Sequence, residues 1–439
     1  MNTPELLAPA GTPEHLETAF AYGADAVYAG QPRYSLRVRN NSFKDVAALG
    51  AGIARAHELG KHFYLVSNIA PHNNKVRSYL KDLAPVLEQK PDALIMSDPG
   101  LIMLVREKWP DQPIHLSVQA NAVNWASVEF WRRQGISRVI LSRELALDEI
   151  REIRDRVPDM ELEVFVHGAL CMAYSGRCLL SGYMNHRDAN QGACTNACRW
   201  NYKEVQHSHD QTGDLIATCG NGGAQEVEPK EILLEEPNRP GGFIPAYEDE
   251  HGTYIMNSKD LRAVQHVAEL ARMGVHSLKI EGRTKSTYYV ARTTQVYRRA
   301  IDEAMNGKPF DMSLMDELEA LSNRGYTEGF LRRHVPREYQ TYEQGSSFLG
   351  TQQVVGTITD ADDRWLTIDV KNKFAPGDQL ELINPAGNIR FSASIMENRN
   401  GQAMEYAPGS GHIVRIPKPA DLPWSLEHSY LTKILSLGV

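Results

Sequence analysis

The sequence predicts an α/β protein: a (β/α)8 TIM-like barrel over residues 1–335, followed by a small C-terminal antiparallel β-barrel over 346–430. Three observations predict it. Eight short apolar strands, most of them separated by helix-sized segments, fill the first two-thirds of the chain. Their apolar runs are continuous rather than alternating, which is the pattern of strands buried on both faces; eight such units favour a closed barrel over an open doubly wound sheet. After about Ser346 the period changes to two, with turn residues between short strands, as in a small antiparallel barrel.

Residues 5–8 open as a strand. Thr12-Pro13 then supplies an N-cap with proline at the first helical position, and Leu16, Ala19 and Phe20 give helical spacing up to Gly23. Further strands are expected at 26–29, 62–66, 93–96, 114–118, 139–141, 162–166 and 277–280. Helices are expected at 46–59, 76–87, 101–108, 124–133, 147–154 and 261–273, several closed by a glycine. Residues 201–250 break the pattern with Gly220-Asn221-Gly222-Gly223 and Pro237-Asn238-Arg239-Pro240-Gly241, and read as an insertion before the eighth strand. A long helix over 287–305 closes the barrel, and 313–332 reads as a helical connector interrupted at Gly325 and Gly329. In the second domain the expected strands are 354–358, 365–370, 379–383, 391–395 and 412–416.

A chain of 439 residues is too long for one ordinary core, so two domains are expected. Its 42% hydrophobic and 23% charged residues are those of an ordinary globular protein. No apolar run reaches the roughly 18–20 residues of a membrane span. Met1-Asn2-Thr3-Pro4-Glu5 lacks a positive n-region, so no signal peptide is expected and the expected compartment is the cytoplasm. No G-x-G-x-x-G follows an early strand, which argues against a dinucleotide site. A net charge of −8 argues against generic nucleic-acid binding. Local basic clusters remain at Arg33, Arg37 and Arg39, at Arg298-Arg299 and at Arg332-Arg333, and each fits a phosphate contact or a solvated face.

The densest chemistry lies at 161–198. A strand ends at His167-Gly168, and Cys171, Cys178, Cys194 and Cys198 follow; only Cys219, of five cysteines, lies elsewhere. Thiolates cluster as disulfides, as zinc ligands or as iron–sulfur ligands. Nothing marks the chain as secreted, which disfavours disulfides. Zinc sites usually carry two short knuckles, whereas here C-x6-C precedes a single short C-x3-C. Wide, uneven spacing suits the 4Fe–4S cube.

Glu163-x-Phe165-x-x-Gly168-Ala169-Leu170-Cys171, followed by Gly176-x-Cys178-x-Leu180-Ser181, resembles the signature of the collagenase-like peptidase family U-32. Supporting segments include PELLAPAG, HLSVQANAVNW, GVHSLKIEGRTKS and RGYTEGFLRRH, and the resemblance covers nearly the whole chain, weakening at about 205–240. It implies an iron–sulfur hydroxylase rather than a protease, one that uses prephenate to place a hydroxyl on the wobble uridine of certain tRNAs. It implies that Cys171, Cys178, Cys194 and Cys198 hold a 4Fe–4S cluster, and that the C-terminal β-barrel belongs to the family architecture.

Active sites of such barrels form at the C-terminal ends of the strands. The polar residues there are Asn68, Ser97-Asp98, Gln119, Asn121, Arg143-Glu144, His167, Glu281 and Arg283. His167, Glu144 and Glu281 are the candidate catalytic groups. Asn68 and Gln119 are candidate substrate contacts. Arg143 and Arg283 are candidate partners for the two carboxylates of prephenate, because a guanidinium fork matches a carboxylate. For each residue taken singly, a helix-terminus or loop role is the commoner one, and for His167 a structural hydrogen bond.

Two other classes stay open: a peptidase, and a non-catalytic metal- or RNA-binding protein. The peptidase gains little from motifs. His57-Glu58-Leu59-Gly60-Lys61-His62 resembles a zincin helix, but the second histidine stands at i+5 beyond a helix-ending glycine. No G-x-S-x-G is present.

Overall fold

The computed structural model describes residues 3–36, 41–170, 207–209, 215–217, 230–235, 243–249, 252–254, 257–282, 285–323, 325–332, 340–341, 351–420, 422 and 425–435. Eight parallel strands form the barrel: β1 (Glu5–Pro9), β2 (Ala26–Gly30), β3 (His62–Ser67), β4 (Ala93–Met96), β5 (Ile114–Leu116), β6 (Arg138–Ile140), β7 (Glu161–Ala169) and β8 (Ser277–Ile280). Each pairs with the next. β8 closes the ring, with Leu278 beside Val164 on one side and Leu6 on the other, so the sheet keeps no free edge.

Around it lie α1 (Pro13–Ala21), α2 (Val46–Glu58), α3 (Asn73–Leu87), α4 (Pro99–Lys108), α5 (Trp125–Arg133), α6 (Leu147–Arg156), α7 (Val267–Met273) and α8 (Thr287–Met305). Thr12, Asp45, Asp98, Asn124 and Ser286 cap five of these helices, each side chain accepting a backbone N–H of the first turn. Each such cap is worth about 1 kcal/mol. Leu6, Val27, Leu65, Leu94, Leu116, Val139, Val166 and Leu278, one from each strand, are fully buried in a single core with the helices.

The structure departs from the sequence reading in several places. Residues 261–273 are not one helix: Asp260–Arg262 is a short strand and only α7 is helical. The upper end of β7 outruns its barrel neighbours, and Asp260–Arg262 pairs antiparallel with it, Arg262 opposite His167, satisfying backbone groups that would otherwise be unmade. The connector is helical only over α9 (Ser313–Glu319); Gly325 and Gly329 take positive φ, and Tyr326–Thr327 pairs with Asp260–Arg262. Val118 leaves the strand for a 3-10 turn, where Ser117 caps Gln119 N–H. Within 201–250 there are strands after all, His207–His209 with Leu215–Ala217, and Lys230–Glu235 with Phe243–Asp249.

The C-terminal region is a seven-stranded antiparallel sheet. Its strands β9 (Gln352–Ala361), β10 (Trp365–Val370), β11 (Gln379–Asn384), β12 (Gly387–Ser392), β13 (Ile413–Pro417) and β14 (Tyr430–Ile434) run in the order β12-β11-β14-β9-β10-β13, with Glu397–Asn398 outermost. Val355, Leu366, Leu380, Val414 and Leu431, from five of these strands, share one core, so the sheet curls on itself. β12 begins at Gly387, earlier than the 391–395 strand expected, and β14, a central strand, was not anticipated.

The two parts meet along α1 and α8. The Tyr22 hydroxyl lies 2.8 Å from the His428 carbonyl, and Gln295 donates to the Asn384 carbonyl at 2.8 Å. Arg292, 1% exposed, reaches Glu317 at 3.1 Å and Glu381 at 3.7 Å.

Candidate active site at the barrel mouth

The C-terminal end of the barrel divides into an uncharged arc and a charged one. The uncharged arc follows β3, β4 and β5, where the carboxylate of Asp98 is taken up in capping α4 by accepting Leu101 N–H. Asn68 accepts Leu36 N–H at 3.2 Å and donates to Ser117 Oγ at 3.1 Å, while Ser97 Oγ donates to the Asn68 carbonyl at 3.1 Å. Both ends of the Asn68 amide are thus engaged in holding three loops together. Gln119 follows in the same turn; its backbone N–H goes to Ser117 Oγ at 3.4 Å. An arc of amide and hydroxyl groups suits a neutral heteroaromatic edge better than an anion.

The charged arc follows β6, β7 and β8. Arg143 lies over Phe165, its Cζ 3.9 Å from the ring centre. Its Nη1 donates to the Ala169 carbonyl at 2.8 Å and its Nη2 to Glu281 at 3.3 Å, while Nε is buried and finds no hydrogen-bond partner among the described residues. The structure therefore brings two predicted residues, Arg143 and Glu281, into contact. The carboxylate of Glu144 accepts from the neighbouring Ser142 hydroxyl.

Beneath the mouth runs a column of buried charge that the sequence reading missed. Lys279 Nζ pairs with Glu163 at 2.7 Å, and Arg138 pairs with Glu163 at 3.4 Å, with Glu5 at 2.7 Å and with Glu161 at 2.8 Å. Tyr64 and Ser277 donate to the same Glu5. Lys279 also lies 4.3 Å over the Tyr28 ring. Barrels of this class usually fill that space with branched aliphatics. The available signal was a lone Lys in Ser277-Leu278-Lys279-Ile280 and a lone Glu in Leu162-Glu163-Val164, both inside apolar strands. His115, fully buried in the same column, is held neutral, its pKa well below 6.5 through burial first and then through Arg138, Lys279 and His62.

His167 is placed differently from expectation. Alternation from Glu163 and Phe165 would send it inward, but the register with β8 slips by one residue: Lys279 faces Phe165 and Ile280 faces His167. This bulge turns the His167 ring out of the barrel into a box of Tyr289, Tyr297 and Tyr326, with ring centres 5.4–5.8 Å away. Burial pushes its pKa down to about 3. A neutral, enclosed imidazole behind the wall is not placed to exchange protons with the mouth. Its main-chain carbonyl does reach the site, accepting Glu281 N–H at 2.8 Å.

Cys171, Cys178, Cys194, Cys198, Cys219 and Arg283 lie outside the described residues. The described chain ends β7 at Ala169, two positions before Cys171, at the carbonyl that Arg143 holds. Of the basic clusters, Arg37, Arg39 and Arg333 also lie outside; Arg33 pairs with Asp82, Arg332 with Glu328, Arg298 with Asp25, and Arg299 with Glu317. His57 and His62 both bond to Asp92, beside the N-terminal ends of β3 and β4 and so away from the mouth. Among the described residues no group of histidine, cysteine and carboxylate side chains is arranged to hold a metal, and no helix is long and apolar enough to cross a membrane.

Comparison with known proteins agrees with this architecture. The chain is 62% identical to tRNA hydroxylation protein P of Escherichia coli over 96% of its length and 95% of that protein. It is 59% identical to the protein of the same name in Haemophilus influenzae, over 95% and 94%. At 28% identity it aligns over 98% of its length with 59% of the Escherichia coli 23S rRNA 5-hydroxycytidine C2501 synthase. The model for peptidase family U32 matches residues 11–341 and that for the U32 C-terminal domain matches 350–426. With both parts matched in order, the chain belongs to peptidase family U32.

Proposed function

We propose that this protein hydroxylates tRNA, converting the wobble uridine to 5-hydroxyuridine with prephenate as co-substrate. The observation that carries the reading is the 62% identity to tRNA hydroxylation protein P, which runs through both parts of the chain. The more distant relative is named for a 5-hydroxypyrimidine product in another RNA, which supports carbon five as the position modified.

Cys171, Cys178, Cys194 and Cys198 would hold a 4Fe–4S cluster: four thiolates are the ligand count of the cube, and the chain enters this segment from the mouth. When bound, such a cluster would supply a redox centre. The residues of the chain do the rest. Arg143 takes a carboxylate of prephenate, assisted by Arg283. Phe165 supports the Arg143 guanidinium. The uncharged arc, with Gln119 foremost, receives the uracil edge after the base leaves its stack. Glu281 and Glu144 are the carboxylates placed to accept a proton.

The test is nucleoside analysis of tRNA from a deletion strain. Loss of 5-hydroxyuridine-derived wobble nucleosides, restored by the wild-type gene and not by a Cys171→Ala copy, is expected. Unchanged nucleosides in the absence of a paralogue would refute the reading and move the peptidase or binding-protein alternatives ahead.

A further inference from the structure

The guanidinium of Arg143 is held on three sides and unfinished on the fourth. It lies over Phe165, Nη1 is bound to the Ala169 carbonyl, and Nη2 meets Glu281 Oε2 at 3.3 Å. Nε is buried and makes no hydrogen bond among the described residues. A donor left in that state costs about 1–3 kcal/mol. Nε and Nη2 together form the side edge of the guanidinium, the edge that takes a carboxylate through two parallel hydrogen bonds. Glu281 meets that edge at Nη2 and leaves Nε over.

The backbone of Glu281 is fixed from several directions. Its N–H donates to the His167 carbonyl at 2.8 Å, and its own carbonyl accepts the Tyr289 hydroxyl at 2.8 Å. Gly168, at φ +109°, packs so closely that a Cβ there would collide with the same carbonyl. With its main chain pinned in this way, the carboxylate meets Arg143 at 3.3 Å, long for a charge-assisted bond.

We propose that Glu281 is a place-holder. It occupies Arg143 until a carboxylate of an anionic co-substrate takes the Nε–Nη2 edge, and the exchange turns the Glu281 carboxylate into the mouth. One carboxylate replaces another on Arg143, so the charge around the arginine is conserved, and the buried Nε gains a partner. Nη1 stays on Ala169, so the arginine keeps its hold on the start of the cysteine-bearing segment throughout. The proposal rests on the assignment of Arg143 to the co-substrate under the proposed function.

The test is calorimetric titration of prephenate into anaerobically purified, cluster-loaded protein. Glu281→Gln removes the competing charge and keeps the shape, so prephenate should bind at least fivefold tighter. Arg143→Lys should bind at least tenfold more weakly. The Glu281→Gln/Arg143→Lys double variant should match Arg143→Lys, because the gain comes from freeing the guanidinium edge, which lysine lacks. An ordinary structural ion pair predicts the opposite for Glu281→Gln, since an arginine without its partner would lose its orientation. Weaker or unchanged prephenate binding in Glu281→Gln, at wild-type iron content and circular dichroism, would overturn the proposal. Should Glu281→Gln fail to load iron, Glu281→Ala carries the same comparison. If wild-type protein binds no prephenate while the strain still hydroxylates its tRNA, the place-holder falls and the tRNA reading stands. If the deletion strain keeps its nucleosides, the tRNA reading falls, and the Glu281→Gln titration still decides the place-holder.

Discussion

Glu163→Gln is expected to destabilise the barrel by about 3–5 kcal/mol, the cost of breaking a buried ion pair from one side. Glu163 is fully buried, 2.7 Å from Lys279 Nζ and 3.4 Å from Arg138 Nη1. The inward charges of the column balance, Glu5 and Glu163 against Arg138 and Lys279. Glutamine keeps the volume and removes one negative charge, which leaves two buried cations with one buried acid between them. Lys279→Met should cost less, because Glu163 then retains Arg138. The double variant Glu163→Leu/Lys279→Met restores the balance with apolar groups and should lie within about 1 kcal/mol of wild type or above it. The coupling between the two sites, taken from Glu163→Leu, Lys279→Met and their double variant, should then exceed about 2 kcal/mol. Thermal unfolding followed by circular dichroism is the assay. At about 2.1 cal/mol/K of unfolding entropy per residue, a barrel of this length shifts by roughly 1.4 °C per kcal/mol, so Glu163→Gln should lower Tm by about 4–7 °C. A shift of a degree or two, or a double variant as unstable as the two single costs combined, would show that the column does not behave as a desolvated charge network.

Four further outcomes are expected. Because His167 has a pKa of about 3 when folded and near 6.5 when unfolded, the unfolded chain binds the extra proton. Its contribution to stability therefore falls as the pH drops below about 6.5, by about 2 kcal/mol at pH 5, and stops falling near pH 3; urea midpoints at pH 7.5 and pH 5 for wild type and His167→Phe should differ by that slope. Gly168→Ala should cost at least about 2 kcal/mol in thermal unfolding, because φ is +109° and the new methyl meets the Glu281 carbonyl. Cys171→Ala, Cys178→Ala, Cys194→Ala and Cys198→Ala should each lose iron and acid-labile sulfide in anaerobic preparations, while Cys219→Ala should keep both. Arg143→Lys should raise the KM for prephenate by about 10–100-fold in a tRNA hydroxylation assay, as the fork is replaced by a point charge.

The barrel was legible because its strands are locally marked. Apolar runs such as Leu94-Ile95-Met96 and Val27-Tyr28-Ala29 end in capped helices, and caps such as Thr12 and Asp98 act within three residues. The elements missed depend on partners far along the chain. Tyr430–Ile434 reads as an ordinary tail, yet it sits between β9 and β11, about 70 and 50 residues away in sequence. Residues 260–262 share helical spacing with α7, and become a strand only because the upper end of β7 offers unpaired backbone groups. Gly325 and Gly329 were visible as interruptions; the pairing of Tyr326–Thr327 with the strand at 260 was not.

The same distinction explains the site. Placing polar residues at strand ends was enough to find Arg143 and Glu281, because the barrel carries every such position to one mouth. It was not enough for His167. A side chain on a strand is aimed by parity, and one extra residue reverses it. The bulge at Val166 arises from the pairing of Phe165 with Lys279 and of His167 with Ile280, more than a hundred residues further on, so no local pattern could reveal it. The reversal moves the most titratable-looking group of the signature into a tyrosine box, where burial keeps it neutral. Among the described residues, charge at the mouth is carried by Glu144 and by the Arg143–Glu281 pair, which is seated on Phe165 and on the carbonyls of Ala169 and His167. The segment that reads as a catalytic motif thus contributes its main chain and one aromatic face to the described site, and the ionised groups come from the neighbouring strands.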